Sequence, residues 1–194
     1  MWFDQLMDSD INNNKWLTDF SNLTCLISAS DWKILNQEYD NLRVIYIMRD
    51  PVKRLWSHYK FHIQFSGHPL SKNPTMNFDH FKKVLSKDFF IRNAYYSRVI
   101  KNLSCSLNQN QYFLCYFEEM VTEPHAFLRK IEDFLSVQHI EYDFENLSKS
   151  KNASIDVAIP ESWREYGINL LEEEIASLKS LGYWSSAWSL PNQG

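Results

Sequence analysis

The sequence predicts an α/β domain in which a parallel β-sheet is flanked by helices. Two mostly apolar runs, "LRVIYIM" at 42–48 and "QYFLCYF" at 111–117, are typical of interior strands covered on both faces. Segments with apolar residues at helical spacing lie between and after them. Strands that alternate with helices favour a parallel sheet with helical layers. Because the 194 residues contain no evident linker or repeat, we expect one domain over 1–194.

The first third of the chain contains further predicted elements around the first strand. "TCLIS" at 24–28 predicts a short buried strand, and "SDWKILNQEY" predicts a helix with Ser30 as its N-cap. After "LRVIYIM", Asp50 is a good N-cap, and Pro51 suits the first turn of a helix. The apolar stripe of that helix is expected to end before the Gly- and Pro-containing loop "SGHPLSKNP".

Four later segments have the apolar spacing of helices. They are "FDHFKKVL", "DFFIRNAYYSRVIKNL", "TEPHAFLRKIEDFL" and "LLEEEIASLKSLGYW". Thr122 is the expected N-cap of the third, and the fourth is expected to stop near Gly182.

Composition and charge disfavour several classes of function. The net charge of -4 argues against a nucleic-acid binder, although "KRLWSHYKFH" is a short basic and aromatic patch. We find no signal-peptide pattern and no run that could span a membrane. The three cysteines form no CxxC pair and are expected to be free thiols in a reducing compartment. A cytoplasmic location is therefore expected, with the Golgi lumen as the alternative for a fragment of a secretory-pathway enzyme.

The stretch "RDPVKRLWSHY" at 49–59 predicts an anion site. Arg49 lies at the carboxyl end of a predicted strand, where α/β sheets bind ligands. The helix that follows is expected to present free backbone N–H groups and the positive end of its dipole. Ser57 shares a face of that helix with Lys53 and Arg54. In the alternative interpretation, Arg54 only pairs with Asp50, and Ser57 is a solvated surface residue.

The pattern R-D-P-x-x-R-x-x-S, followed by an aromatic residue, resembles the 3′-phosphate-binding motif of sulfotransferases. These enzymes use 3′-phosphoadenosine 5′-phosphosulfate (PAPS), and the similarity is to their carbohydrate and bacterial branches. The resemblance implies a P-loop-NTPase-like sheet, PAPS as co-substrate without a metal, and an acceptor hydroxyl on a carbohydrate or small alcohol. It implies that Arg49 and Ser57 bind the 3′-phosphate and that Tyr96 lies beside the nucleotide.

The resemblance continues downstream in the family's order and covers most of the chain from about Thr24 onward. "IRNAYYSRVIKNL" is similar to the segment in which a tyrosine opens a helix, and "CYFEEMVTEPHAFLRKIEDFL" to the Y-E-D-L-x-x-D-P helix. "SKSKNASIDVAIPESWREYG" resembles the later loop and "LKSLGYW" the closing segment. The family also has a Gly-rich K-x-G-T-[TS] loop that holds the 5′-phosphosulfate, whereas the first glycine here is Gly67.

The departure at the Gly-rich loop leaves two interpretations open. The sequence is either a fragment of a longer sulfotransferase or a non-catalytic relative that binds a nucleotide or a partner. The residues identify no catalytic base, and the oligomeric state is not predicted.

Three other groups of side chains have ordinary structural interpretations. His58 and His62 have a spacing that can bind zinc, but no third ligand is evident and ordinary histidines are favoured. Glu118 and Glu119 end a predicted strand, where a general base could lie, but the resemblance implies instead a structural carboxylate, with Glu118 paired with Arg54. Lys149 and Lys151 are expected to lie in a solvated loop.

Overall fold

The computed structural model describes residues 18–21, 23–143 and 156–188. Two strands, β1 (Val44–Met48) and β2 (Tyr112–Tyr116), pair in parallel, with Val44 opposite Tyr112 and Met48 opposite Tyr116. The prediction of an α/β fold with a parallel sheet flanked by helices is confirmed. The prediction that both faces of each strand are covered is wrong for β1, because Ile47 is 40% exposed to solvent among the described residues.

Nine α-helices lie in the described ranges. In chain order they are α1 (Ala29–Glu38), α2 (Pro51–Phe65), α3 (Phe78–Leu85), α4 (Asp88–Ile91), α5 (Tyr96–Ser104), α6 (Phe117–Thr122), α7 (Pro124–Leu135), α8 (Glu161–Leu170) and α9 (Glu172–Ser180). Short 3₁₀ turns occur at Thr24–Leu26, Pro69–Lys72, Arg92–Ala94 and Gln109–Gln111.

The segment before α1 differs from its prediction. Within this segment Thr24–Leu26 form a 3₁₀ turn instead of a strand, and Cys25 and Ile27 pack against the apolar cluster that contains Trp32 without joining the sheet. Ser28, not Ser30, is the N-cap of α1. Its hydroxyl accepts the Asp31 backbone N–H, and the Asp31 carboxylate accepts the Ser28 N–H. This reciprocal capping box satisfies two N–H groups that a start at Ser30 would leave unpaired.

The predicted helix over 88–103 is divided into α4, a 3₁₀ turn and α5. The break lies at Tyr95, whose φ of -88° and ψ of 73° are not helical. Glu174 of α9 accepts hydrogen bonds from the backbone and the hydroxyl of Ser97, at 2.8 and 2.5 Å. A carboxylate from a distant helix therefore satisfies the first turn of α5, which local sequence cannot reveal.

Two other helix boundaries also differ from the predictions. Thr122 ends α6 instead of capping α7, and its hydroxyl donates to the Glu118 carbonyl one turn earlier. The late helix begins at Glu172, because Leu171 separates it from α8. Its end agrees with the prediction: α9 stops at Ser180, and Gly182 follows with a φ of 76°.

Helix α2 is the centre of the largest apolar cluster. Trp56 and Tyr59 pack against Phe81 of α3 and Trp163 of α8, with ring centroids 5.0 to 6.4 Å apart. This aromatic packing fixes α2 against the helices around it. The start of α2, where the predicted anion site lies, is thereby held on a rigid element.

Candidate functional site

The parallel register brings the two strand ends to the same level. Since Met48 lies opposite Tyr116, the two residues that follow Met48 contact the two residues that follow Tyr116. The Arg49 guanidinium carbon lies 4.8 Å from the centroid of the Phe117 ring. One residue further, the Asp50 backbone N–H donates to Glu118 Oε1 at 3.1 Å. The carboxyl edge of the sheet thus carries a cation on an aromatic face.

A hollow of about 170 Å³ opens at this edge, and we refer to it as the strand-end hollow. Its lining residues are Arg49, Lys53, Phe117, Glu118, Val121 and Thr122. Within the described ranges, the Arg49 side chain has no ion pair and no hydrogen bond, and Lys53 is exposed. The hollow therefore combines two cations with one half-buried carboxylate.

The first turn of α2 does not offer the free N–H groups expected from the sequence. The Asp50 carboxylate is 3% exposed and accepts the Val52 and Lys53 N–H groups at 2.9 and 3.1 Å. Pro51 has no N–H to contribute. Burial raises the pKa of the Asp50 carboxyl, although its hydrogen bonds oppose that change. The expectation of an open helix terminus is wrong, so an anion here must be held by side chains.

Arg54 forms neither of the ion pairs considered for it. Its Nε donates to the Asn93 carbonyl at 3.1 Å, which ties α2 to the segment before α5. Glu118 has the structural role that was expected but with other partners. Its two oxygens accept the Asp50 N–H and the Trp188 indole N–H, the latter at 2.9 Å. The predicted pairing of Arg54 with Glu118 is therefore wrong in this structure.

Ser57 lies on α2 between two lysines, Lys53 four residues before and Lys60 three residues after. It is half-buried and does not line the strand-end hollow, and its hydroxyl makes no hydrogen bond with another described residue. Burial lowers the pKa of Lys60, Asp156 opposes that change, and Arg49 adds to it.

Tyr96 is at the start of α5 and is fully buried, with 1% of its surface exposed. Its ring packs edge-on against Tyr46 at 6.0 Å and lies 6.1 Å from Trp188. Burial raises the pKa of its phenol, while the Arg49 backbone N–H opposes that shift. The hydroxyl makes no hydrogen bond of good geometry. Tyr96 therefore contacts the site from inside the core, and its role toward a nucleotide stays a prediction.

The histidines of α2 are accounted for by packing. The His58 ring stacks on Phe90 with centroids 4.2 Å apart, and His62 meets the same ring edge-on. In the part of the chain that the structure describes, no group of three His, Cys, Asp or Glu side chains could hold a metal ion. No described helix is long and apolar enough to cross a bilayer. Lys149 and Lys151 lie outside the described residues.

Sequence reasoning missed Trp188 altogether. Its indole N–H donates to Glu118, 70 residues earlier in the chain, and no local sequence pattern predicts that hydrogen bond. A tryptophan near the end of a chain is most simply interpreted as core. Only the tertiary structure shows that its N–H is directed to the sheet edge.

Comparison with known proteins agrees with this architecture. Residues 27–157 match the family model of the sulfotransferase domain. A solved sulfotransferase from Alicyclobacillus acidocaldarius has a similar fold, with a TM-score of 0.57 and 17% sequence identity. The match covers 82% of this chain and 62% of that chain, so this chain spans less than two thirds of that protein. No curated protein matches the sequence. Because the family model covers more than half of the residues, the chain belongs to the sulfotransferase family.

Proposed function

We propose that the chain binds PAPS through its 3′-phosphate at the strand-end hollow and transfers the sulfuryl group to an acceptor hydroxyl. The observation that carries this proposal is the Arg49 guanidinium, which lines the strand-end hollow and makes no ion pair with a described residue. The proposed acceptor is a carbohydrate or a small alcohol, as the resemblance implies.

The chemistry around Arg49 suits a dianion. A guanidinium offers two parallel N–H donors to phosphate oxygens, and the Phe117 ring beneath it restricts its plane. Lys53 adds a second positive charge at the rim of the hollow. Asp50 occupies the helix N–H groups, so the phosphate would depend on these side chains and on the Ser57 hydroxyl further along α2.

The residues of this chain would bind and orient the nucleotide. PAPS supplies the sulfuryl group, and the transfer needs an acceptor hydroxyl in line with the departing phosphate. Arg49 and Lys53 would hold the end of the nucleotide opposite to the reacting sulfur. Such remote contacts fix the reacting group in place, and their loss weakens both binding and transfer.

The test is ligand-dependent stabilisation of the full chain. We expect 3′-phosphoadenosine 5′-phosphate to raise the melting temperature, and 5′-AMP, which lacks the 3′-phosphate, to raise it much less. Arg49→Ala should abolish most of the difference between the two nucleotides. Arg43→Ala is the matched control, because Arg43 precedes the opposite end of β1. Equal shifts for the two nucleotides in the wild-type chain would overturn the proposal.

A second function stays open because residues 1–194 include no K-x-G-T-[TS] loop. In this alternative, the chain is a nucleotide- or partner-binding relative that transfers no sulfate. Incubation with radiolabelled PAPS and a panel of sugars and small alcohols separates the two. Binding that depends on the 3′-phosphate, without labelled product, would favour the alternative.

We also propose a cytoplasmic location. The described cysteines Cys25, Cys105 and Cys115 are all free thiols, as expected in a reducing compartment. The alternative is the Golgi lumen, and a fluorescent fusion of the complete gene product would distinguish them.

A further inference from the structure

The Glu118 carboxylate joins two parts of the chain that are distant in sequence. One oxygen accepts the Asp50 N–H at 3.1 Å, and the other accepts the Trp188 indole N–H at 2.9 Å. Asp50 in turn caps α2 through its own carboxylate. A continuous chain of hydrogen bonds therefore runs from Trp188 to the first turn of α2.

This chain of bonds holds the backbone on which Arg49 is placed. Asp50 is the residue directly after Arg49, and its N–H belongs to the peptide that joins the two. A hydrogen bond to that N–H restrains the orientation of the peptide and so the direction in which the Arg49 side chain leaves the strand. The parallel register alone would leave this turn without a partner beyond Met48.

Trp188 is itself fixed by its surroundings. It is 2% exposed, and its ring packs against Tyr116 and Trp184 with centroids 5.4 and 5.2 Å away. It lies beyond residues 27–157, so the family match assigns it no role. A buried indole N–H requires an acceptor, which is here the Glu118 carboxylate. Because this half-buried carboxylate accepts from two donors, its position is restrained.

We propose that Glu118 and Trp188 are positioning residues for the 3′-phosphate site, acting through the Asp50 peptide on Arg49. The inference rests on the proposed function. It assigns the C-terminal segment a part in phosphate recognition that does not require contact with the ligand. Wild-type affinity for the 3′-phosphate then depends on a hydrogen bond between Glu118 and Trp188, two residues that lie 70 positions apart and outside the motif that contains Arg49.

The carboxylate is the feature that a substitution can probe. Glu118 meets two N–H donors with two acceptor oxygens. Glutamine has the same shape but only one acceptor, so in Glu118→Gln one donor must face an NH₂ group. Trp188→Phe removes the indole donor, and the single amide oxygen of glutamine can then accept the Asp50 N–H. The double variant should therefore recover what Glu118→Gln loses.

The experiment measures dissociation constants of the full chain for 3′-phosphoadenosine 5′-phosphate and for 5′-AMP by calorimetry. Because Glu118→Gln also removes a negative charge that lines the hollow, its effect is measured against the double variant, which has the same charge. We expect Glu118→Gln to bind the bisphosphate about 10-fold more weakly than the double variant and to bind 5′-AMP about equally, because the 3′-phosphate contact is the one disturbed. Trp188→Phe should weaken binding of the bisphosphate about 3-fold, and the double variant should bind more tightly than Glu118→Gln alone. Glu119→Gln is the matched neighbouring control, because the Glu119 carboxylate pairs with Lys130 and bonds neither Asp50 nor Trp188, and it should bind as the wild type does.

Amide hydrogen exchange gives a second readout that needs no nucleotide. The Asp50 amide should exchange faster in Glu118→Gln and recover in the double variant, at unchanged global stability.

Three outcomes of these experiments contradict the inference. Losses of affinity that follow the melting temperature of the variants and affect both nucleotides equally would show a merely structural role and overturn the inference. A wild-type preference for the bisphosphate that both single variants retain would also overturn it, while leaving the proposed function intact. A wild-type chain with no such preference would overturn the proposed function and the inference together.

Discussion

At the residue scale, Gly167 shows how one missing side chain sets the distance between two helices. A Cβ at this position would lie 3.0 Å from Val52 Cγ1, closer than real Cβ contacts normally are. Val52 is 6% exposed and β-branched, so it has little freedom to move away. Glycine normally weakens a helix interior, and its presence in α8 is therefore explained by close packing on α2.

We expect Gly167→Ala to destabilise the protein by about 1 kcal/mol, because overpacking outweighs the gain in helix propensity. In a Val52→Ala background the added methyl group has room, and the same substitution should become neutral or stabilising. Urea unfolding of the two singles and the double variant measures this coupling. A stabilising effect of Gly167→Ala in the wild-type background would show that Val52 can yield.

At the element scale, α2 carries both the anion site at its start and a partly buried histidine, His58, whose protonation makes stability depend on pH. His58 is one turn beyond Arg54 and stacks on Phe90 of α4. Burial, with smaller contributions from the charges of Arg54 and His62, lowers the pKa of His58 to about 4. The unfolded chain, with a histidine pKa near 6.5, then binds more protons than the folded one between these values. Stability is complete above about pH 6.5 and falls as the pH drops towards 4.

Replacing His58 with Phe should keep the stacking on Phe90 and remove this acid sensitivity. Between pH 7 and 4.5 we expect the wild type to lose about 1–2 kcal/mol more than His58→Phe, after discounting for partial exposure. Urea unfolding at both pH values provides the comparison. His125→Phe, at an exposed histidine on α7, is the control and should follow the wild type. Equal acid losses in wild type and His58→Phe would show that other groups dominate.

At the scale of the whole molecule, the helices that pack on the sheet shield its buried side chains from reagents in solution. Only unfolding of a large part of the fold exposes these side chains. Cys115 on β2 is 2% exposed, and its thiol lies 3.8 Å from the Tyr46 carbonyl. Burial raises the pKa of this thiol to about 12. Cys105, directly after α5, is exposed. The two cysteines therefore report on the surface and on the interior of the same fold.

We expect a thiol-specific reagent to modify Cys105 within minutes at pH 8 and Cys115 only when the fold opens, because thiolate formation and access are both suppressed. Mass spectrometry after proteolysis assigns the modified cysteine. Adding urea below the unfolding midpoint should accelerate Cys115 modification and leave the Cys105 rate nearly constant. Rapid modification of Cys115 without denaturant would show local opening at β2.

The sequence by itself determined the elements whose signals are local. Both strands, the start of α2 at Asp50 and Pro51, and the bounds of α3 follow from apolar runs, caps and spacing. The family could likewise be identified from the order of motifs around Arg49, because the order and spacing of motifs are properties of the linear sequence.

Only the tertiary structure decided which polar groups satisfy one another. The predicted helix over 88–103 breaks at Tyr95, and Glu174 accepts the Ser97 N–H directly after the break. Arg54 bonds the Asn93 carbonyl instead of a carboxylate. Glu118 is shared by Asp50 and Trp188, residues 138 positions apart. These partners lie far apart along the chain and carry no periodic signal, so their pairing depends on packing that places them within hydrogen-bond distance.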